Sequence, residues 1–145
     1  MKDYIRQLLE NVDDNNRGRC IIREYLQARV LQVLQEKAAF ATWAFLGGSA
    51  LRFLYSLPRF SEDLDFSFVK AGMDDNFSDV IKAVKAVFEA ESYRVSIKAN
   101  IEKNVKNAFV KFEGLLFELG YTYCCNCTDM TRDRPQEKFT TKRNN

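Results

Sequence analysis

The chain has 145 residues, 46% of them apolar and 13% aromatic, enough for one domain with a proper core and too few for a catalytic domain plus a separate substrate domain. Its 22 basic and 20 acidic residues leave a net charge of +2, without the strong basic bias of an electrostatic nucleic-acid binder. There is no histidine, which excludes Ser/His and Cys/His nucleophile pairs, histidine general bases and histidine-ligated zinc, and directs attention to carboxylates with a hard metal ion.

The opening MKDYIRQLLENVDD carries acids where a signal peptide would be apolar, and no run approaches the roughly 18 apolar residues of a membrane span. These features predict a cytoplasmic chain with no membrane association, whose four cysteines are free thiols. Ile5, Leu8, Leu9 and Val12 recur at helical spacing over 3–12, and the polar run Asp13 to Gly18 is expected to break that helix. A longer helix is predicted over 19–38, with Ile22, Leu26, Val30 and Val33 as its buried stripe. Residues 41–46 (ATWAFL) are continuously apolar and read as a strand buried on both faces. Gly47 and Gly48 end it, a short helix opens near Ser49, and Pro58 stops that helix.

Leu64, Phe66 and Phe68 alternate with Asp63, Asp65 and Ser67, the pattern of a half-buried strand. Phe77, Val80, Ile81, Val84, Val87 and Phe88 give the clearest helical period in the chain. Strands are predicted over 93–101 and about 106–118, although GLLFELG within the second also suits a helix. From Cys124 onward only Met130 and Phe139 are large and apolar, and neither period is visible, so 122–145 is expected to be an irregular or disordered tail behind a core of 1–121. Residues 129–145 hold five basic and three acidic residues, so the remainder balances at 17 of each.

Two features between residues 45 and 68 carry chemistry. A buried strand runs into Gly47, Gly48 and Ser49 where a helix opens; glycines let a backbone approach a ligand closely, and free N–H groups at a helix start favour an anion. The plain alternative is a tight turn with Ser49 as N-cap. Asp63 and Asp65 lie two apart on a strand, so both carboxylates project to one side, and a cation between them would relieve their repulsion. The plain alternative is a solvated strand face. Thirteen residues separate Ser49 from Asp63, room for a short helix and a return loop that would set the glycines beside the carboxylates. Arg59 and Ser61 fall in that loop, where Arg59 would meet a phosphate or else pair with Glu62 or Asp63.

The glycine–glycine/serine turn followed by an Asp-x-Asp strand resembles the nucleotidyltransferase signature of the DNA polymerase β-like superfamily. More narrowly, LGGSALRFLY followed by RFSEDLDFSF resembles the AbiEii/AbiGii toxin family of nucleotidyltransferases, of abortive-infection and toxin–antitoxin systems, and the similarity spans residues 15–121. The resemblance implies an α/β (α+β) fold, a mixed sheet flanked by helices. It also implies transfer of a nucleotide from an NTP to an acceptor, RNA in related toxins, with release of pyrophosphate and a cognate antitoxin as partner. Asp63 and Asp65 would bind Mg²⁺ and act in catalysis, while Gly47, Gly48, Ser49, Arg59 and Ser61 would hold the nucleotide.

The superfamily also uses a third carboxylate on a later strand. After Glu118–Leu119–Gly120 the sequence runs YTYCCNCTDMTRDRP; Asp129 and Asp133 lack apolar alternation, and Glu113 comes earlier. The fold is therefore expected to be incomplete at its C-terminal end, as in a protein cut short. The alternative function is an inactive fragment that keeps the fold and binds nucleotide or antitoxin; an unrelated α/β binding module is the third reading. Cys124, Cys125 and Cys127 include a C-x-x-C pair, but Cys20 is the one further thiol for a zinc site.

Overall fold

A computed structural model describes residues 2–69, 76–100, 105–121 and 136–142. In chain order the elements are α1 (Lys2–Leu9), α2 (Asn15–Glu36), a 3₁₀ turn (Ala39–Ala41), β1 (Trp43–Leu46), α3 (Gly47–Tyr55), β2 (Asp63–Phe68), α4 (Phe77–Ala90), β3 (Val95–Asn100), β4 (Val105–Phe112), α5 (Leu115–Glu118) and β5 (Gln136–Lys142). The five strands form one mixed sheet in the order β1-β2-β5-β4-β3, with β2 and β5 parallel and every other pair antiparallel. This is the α+β architecture expected.

Helix α2 shows its predicted stripe: Ile22, Leu26, Val30 and Val33 are all buried. It starts four residues earlier than expected. Asp14 caps it, accepting a hydrogen bond from the Asn16 N–H (3.0 Å), so the polar run opens the helix and does not merely break the one before. Gly18 then lies inside α2, where the Tyr121 ring packs so closely that no side chain would fit.

One face of the sheet is apolar. Trp43, Leu64, Phe66, Phe68, Ala108, Val110 and Phe112 are buried there with the inner residues of α2 and α4. Trp43 meets Phe66 and Phe77 at ring-centroid distances of 5.6 and 5.8 Å, and Phe88 meets Phe112 edge-on at 4.9 Å, so aromatic packing joins α4 to β1 and to β4.

Register assigns the opposite face. Asp63, Lys138, Phe109 and Lys98 lie level across β2, β5, β4 and β3; Asp65, Thr140, Asn107 and Asn100 form the next row. Directly paired residues share a side of the sheet.

Three expectations are corrected. Strand β1 is not buried on both faces: it is an edge strand paired with β2, its Trp43 inward and its Ala44 and Leu46 exposed. The strand expected over 106–118 stops at Phe112, because Gly114 adopts φ +72° and turns the chain into α5, the helical alternative for GLLFELG. The tail expected to be irregular contributes β5, inserted between β2 and β4 at the centre of the sheet, so the core does not end at residue 121. Its QEKFTTK lacks apolar alternation, and backbone ladders to β2 and β4 hold it on both sides. Cys124, Cys125, Cys127, Asp129 and Asp133 lie outside the described residues.

Thr140→Pro tests this placement. A proline in an inner strand removes a ladder donor, so the substitution should lower the unfolding free energy by at least about 2 kcal/mol in a denaturant titration. An irregular tail would tolerate it without change.

Candidate active site

Strand β1 delivers the chain to the sheet edge with Leu46 opposite Asp65 in register. Gly47 then takes φ +81° and opens α3, turning strand into helix within one residue. A Cβ on Gly47 would lie 2.7 Å from Asp65 Oδ2, and one on Gly48 would lie 3.0 Å from Ser61 Oγ. The turn thus packs directly on the carboxylate strand and on the loop leading into it, most tightly at Gly47. The expectation that the turn would sit beside Asp63 and Asp65 agrees with this geometry.

A cleft of about 520 Å³ lies there, lined by Gly48, Leu51, Leu57, Arg59, Phe60, Ser61, Glu62, Asp63 and Asp65. It gathers five of the residues singled out from the sequence. Gly47 backs the cleft through Asp65. Ser49 does not line it: the side chain is 1% exposed, and its hydroxyl donates to the Asp63 backbone carbonyl. That bond ties α3 to the start of β2 and sets the height of the first aspartate against the turn. Arg59 is exposed at the cleft; of the two partners considered for it, Glu62 instead meets Arg23 of α2 at 3.0 Å.

The return loop 56–62 is braced from α2, through residues the sequence reading did not single out. Gln27, 2% exposed, donates from Nε2 to the carbonyls of Ser61 and Glu62, both at 3.1 Å. Arg52 forms two bonds to the Glu24 carboxylate (2.5 and 3.0 Å), donates to the Leu57 carbonyl (2.7 Å) and lies over the Phe60 ring at 4.3 Å. The Glu24 hydrogen bond raises the Arg52 pKa above its ordinary value, against a smaller opposing effect of burial. A polar Gln27 next to Leu26 in an otherwise apolar stripe was the one available signal.

Asp63 and Asp65 share a face of β2, and both are half-buried. Among the described residues no group of three or more Asp, Glu, Cys or His converges on one point. A pair is still a fitting Mg²⁺ site, because this ion is usually held by one or two carboxylates and completed by substrate phosphates and water. The β5 positions opposite Asp63 and Asp65 are Lys138 and Thr140, so the adjacent strand supplies no carboxylate at either. Glu113 is no substitute. It lies four residues beyond Phe109, the β4 position level with Asp63, or about 13 Å along the strand direction, and its carboxylate accepts from Ser96 and pairs with Lys111.

Residues 29–139 match the family described as Nucleotidyl transferase AbiEii toxin, Type IV TA system. The chain belongs to the AbiEii nucleotidyl transferase toxin family. The match covers most of the chain and extends beyond the resemblance at 15–121, through the former tail into β5. Membership places the protein among toxin–antitoxin and abortive-infection systems and implies an antitoxin partner. No curated protein and no solved structure matches the chain significantly. No helix among the described residues is long and apolar enough to cross a membrane.

Two substitutions separate the turn of this AbiEii-family chain from its brace. Gly47→Ala puts a side chain at φ +81° against Asp65, and should cost about 1–2 kcal/mol in stability from the backbone alone. Gln27→Leu leaves two carbonyls without their donor and should cost about 1–3 kcal/mol. Chemical denaturation of each variant checks both values.

Proposed function

We propose that the chain transfers a nucleotide from an NTP to an RNA acceptor in a Mg²⁺-dependent reaction that releases pyrophosphate, and that it does so in the cytoplasm, where both substrates are found. The observation that supports this reading most directly is the shared cleft: two carboxylates on one strand face, the second of them packed against a glycine turn that opens a helix.

The acceptor oxygen bonds to the α-phosphorus, the bond from that phosphorus to the bridging oxygen of the β-phosphate breaks, and the hydroxyl proton passes to solvent water. Mg²⁺ bound by Asp63 and Asp65 would lower the acceptor hydroxyl's pKa and neutralise charge at the α-phosphate. The chain's own residues position the substrate. The first-turn N–H groups of α3, from Gly47 to Ser49, have no partner within the helix, and the helix dipole favours the β- and γ-phosphates at that point. Arg59, exposed beside them, presents a planar and permanently charged donor to the triphosphate, and the Ser61 hydroxyl adds a neutral one. The Ser49 hydroxyl acts indirectly, holding Asp63 through its carbonyl.

A second reading is favoured by one observation, the absence of a carboxylate opposite Asp63 and Asp65 on β5. In it the chain binds nucleotide or antitoxin and transfers nothing. Incubation with α-labelled NTPs, Mg²⁺ and total RNA decides between the two. Label transfer that falls at least about 100-fold in both Asp63→Ala and Asp65→Ala supports the enzyme. Mg²⁺-dependent nucleotide binding without transfer supports the second reading, and absence of both leaves the cleft a structural feature.

A further inference from the structure

Strand β4 alternates with two irregularities, a buried Lys106 on the core side and an apolar ring on the other. Ala108, Val110 and Phe112 are buried on the core side, and Asn107 and Lys111 occupy the other side, as a half-solvated strand requires. Phe109 also belongs to the polar side and is 37% exposed. On an inner strand, with β5 on one flank and β3 on the other, this ring gives up part of the roughly 1.5–3 kcal/mol that full burial of a phenylalanine would contribute. A single exposed phenylalanine needs no explanation by itself; the position of this one relative to the aspartates does.

Phe109 stands opposite Lys138, which stands opposite Asp63. Two strand spacings separate Phe109 from Asp63, about 10 Å on the same face. Its neighbour on the far side, in direct register, is the exposed Lys98. The next row carries Asp65, Thr140, Asn107 and Asn100, so two amides lie level with the second aspartate. An aromatic ring, a cation and neutral hydrogen-bonding groups thus run in a band from the carboxylates to the sheet edge at β3. A folded protein partner would be served better by a broader apolar patch, and a duplex by a longer basic stripe. A flexible chain of bases and phosphates matches a single ring flanked by single charges.

We propose that this face of the sheet is a stacking platform for a single-stranded RNA segment, with a base on Phe109 and a phosphate at Lys98, and that it leads the acceptor to the aspartate pair. The proposal rests on the transfer reading for the role of the bound strand, and on the sheet face alone for its binding. It also fits the nearly neutral chain, because a short segment gripped by stacking needs few cations.

The test is binding of a fluorescein-labelled, unstructured twelve-nucleotide RNA to the intact chain, followed by anisotropy without NTP. Phe109→Ala should weaken binding about tenfold or more, the effect of one lost base–aromatic stack. Phe109→Leu keeps the apolar bulk without the π-face and should be equally weak, while Phe109→Trp should bind at least as well as the native chain. Lys98→Glu should lower the slope of log K against log salt by about 0.7, the value for one phosphate on a single strand. Native-strength binding by Phe109→Ala or Phe109→Leu overturns the platform, as does equal affinity for an RNA duplex of the same length. Mg²⁺–nucleotide binding, measured separately, keeps the two ideas apart. If it persists while RNA binding ignores Phe109, the platform alone fails. If it is absent while RNA binding depends on Phe109, the transfer reading fails and the binding face stands.

Discussion

Close approach of one backbone turn to neighbouring side chains governs this molecule. Where β1 ends, the chain turns into α3 directly over the side chains of Asp65 and Ser61, and a Cβ on Gly47 would lie 2.7 Å from the Asp65 carboxylate. Gly47 and Gly48 meet that demand by having no side chain, and Gly47 also by its left-handed φ. The glycine turn and the aspartate strand are therefore not two elements brought near each other by a flexible loop. They are one packed contact, fixed by the register of Leu46 against Asp65 and by the Ser49 hydroxyl on the Asp63 carbonyl.

Rigidity on the other side of the cleft comes from α2. Its Arg23, Glu24 and Gln27 hold the return loop by one ion pair, one bridged arginine and two carbonyl bonds. The charges used for this purpose are spent within the protein, and Arg59 is left to face the cleft. Buried Gln27 shares one amide between two part-buried carbonyls, and such a donor contributes more than a fully exposed charge pair, which is typically worth about 0.2–1 kcal/mol.

Much of this was legible in the residues. The stripe of α2, the alternation of β2 and the period of α4 all state their buried faces, because each element packs a single apolar side against the core. The pairing of a glycine turn with an Asp-x-Asp strand indicated the cleft and its family. What escaped was everything determined by distant partners. Trp43 to Leu46 looked doubly buried because apolar residues tolerate an edge, and only pairing reveals which strand is outermost. Gly18 looked like a helix breaker because its reason, Tyr121, lies a hundred residues away. Ser49 looked like a ligand because its acceptor is a backbone carbonyl that no motif records. Strand β5 looked like tail because an inner strand borrows its order from two neighbours.

The parallel pairing of β2 with β5 has a consequence for biosynthesis. Residue 63 finds its partner at residue 138, and until that segment has left the ribosome the inner edges of β2 and β4 both stand open. Such a long-range parallel closure is slow and comes late in folding. The carboxylate strand thus belongs to a finished sheet only when nearly all of the described chain has been translated. Partly made copies would carry the glycine turn and β2 without the completed sheet behind them, so any chemistry the cleft performs is withheld from the nascent protein by topology.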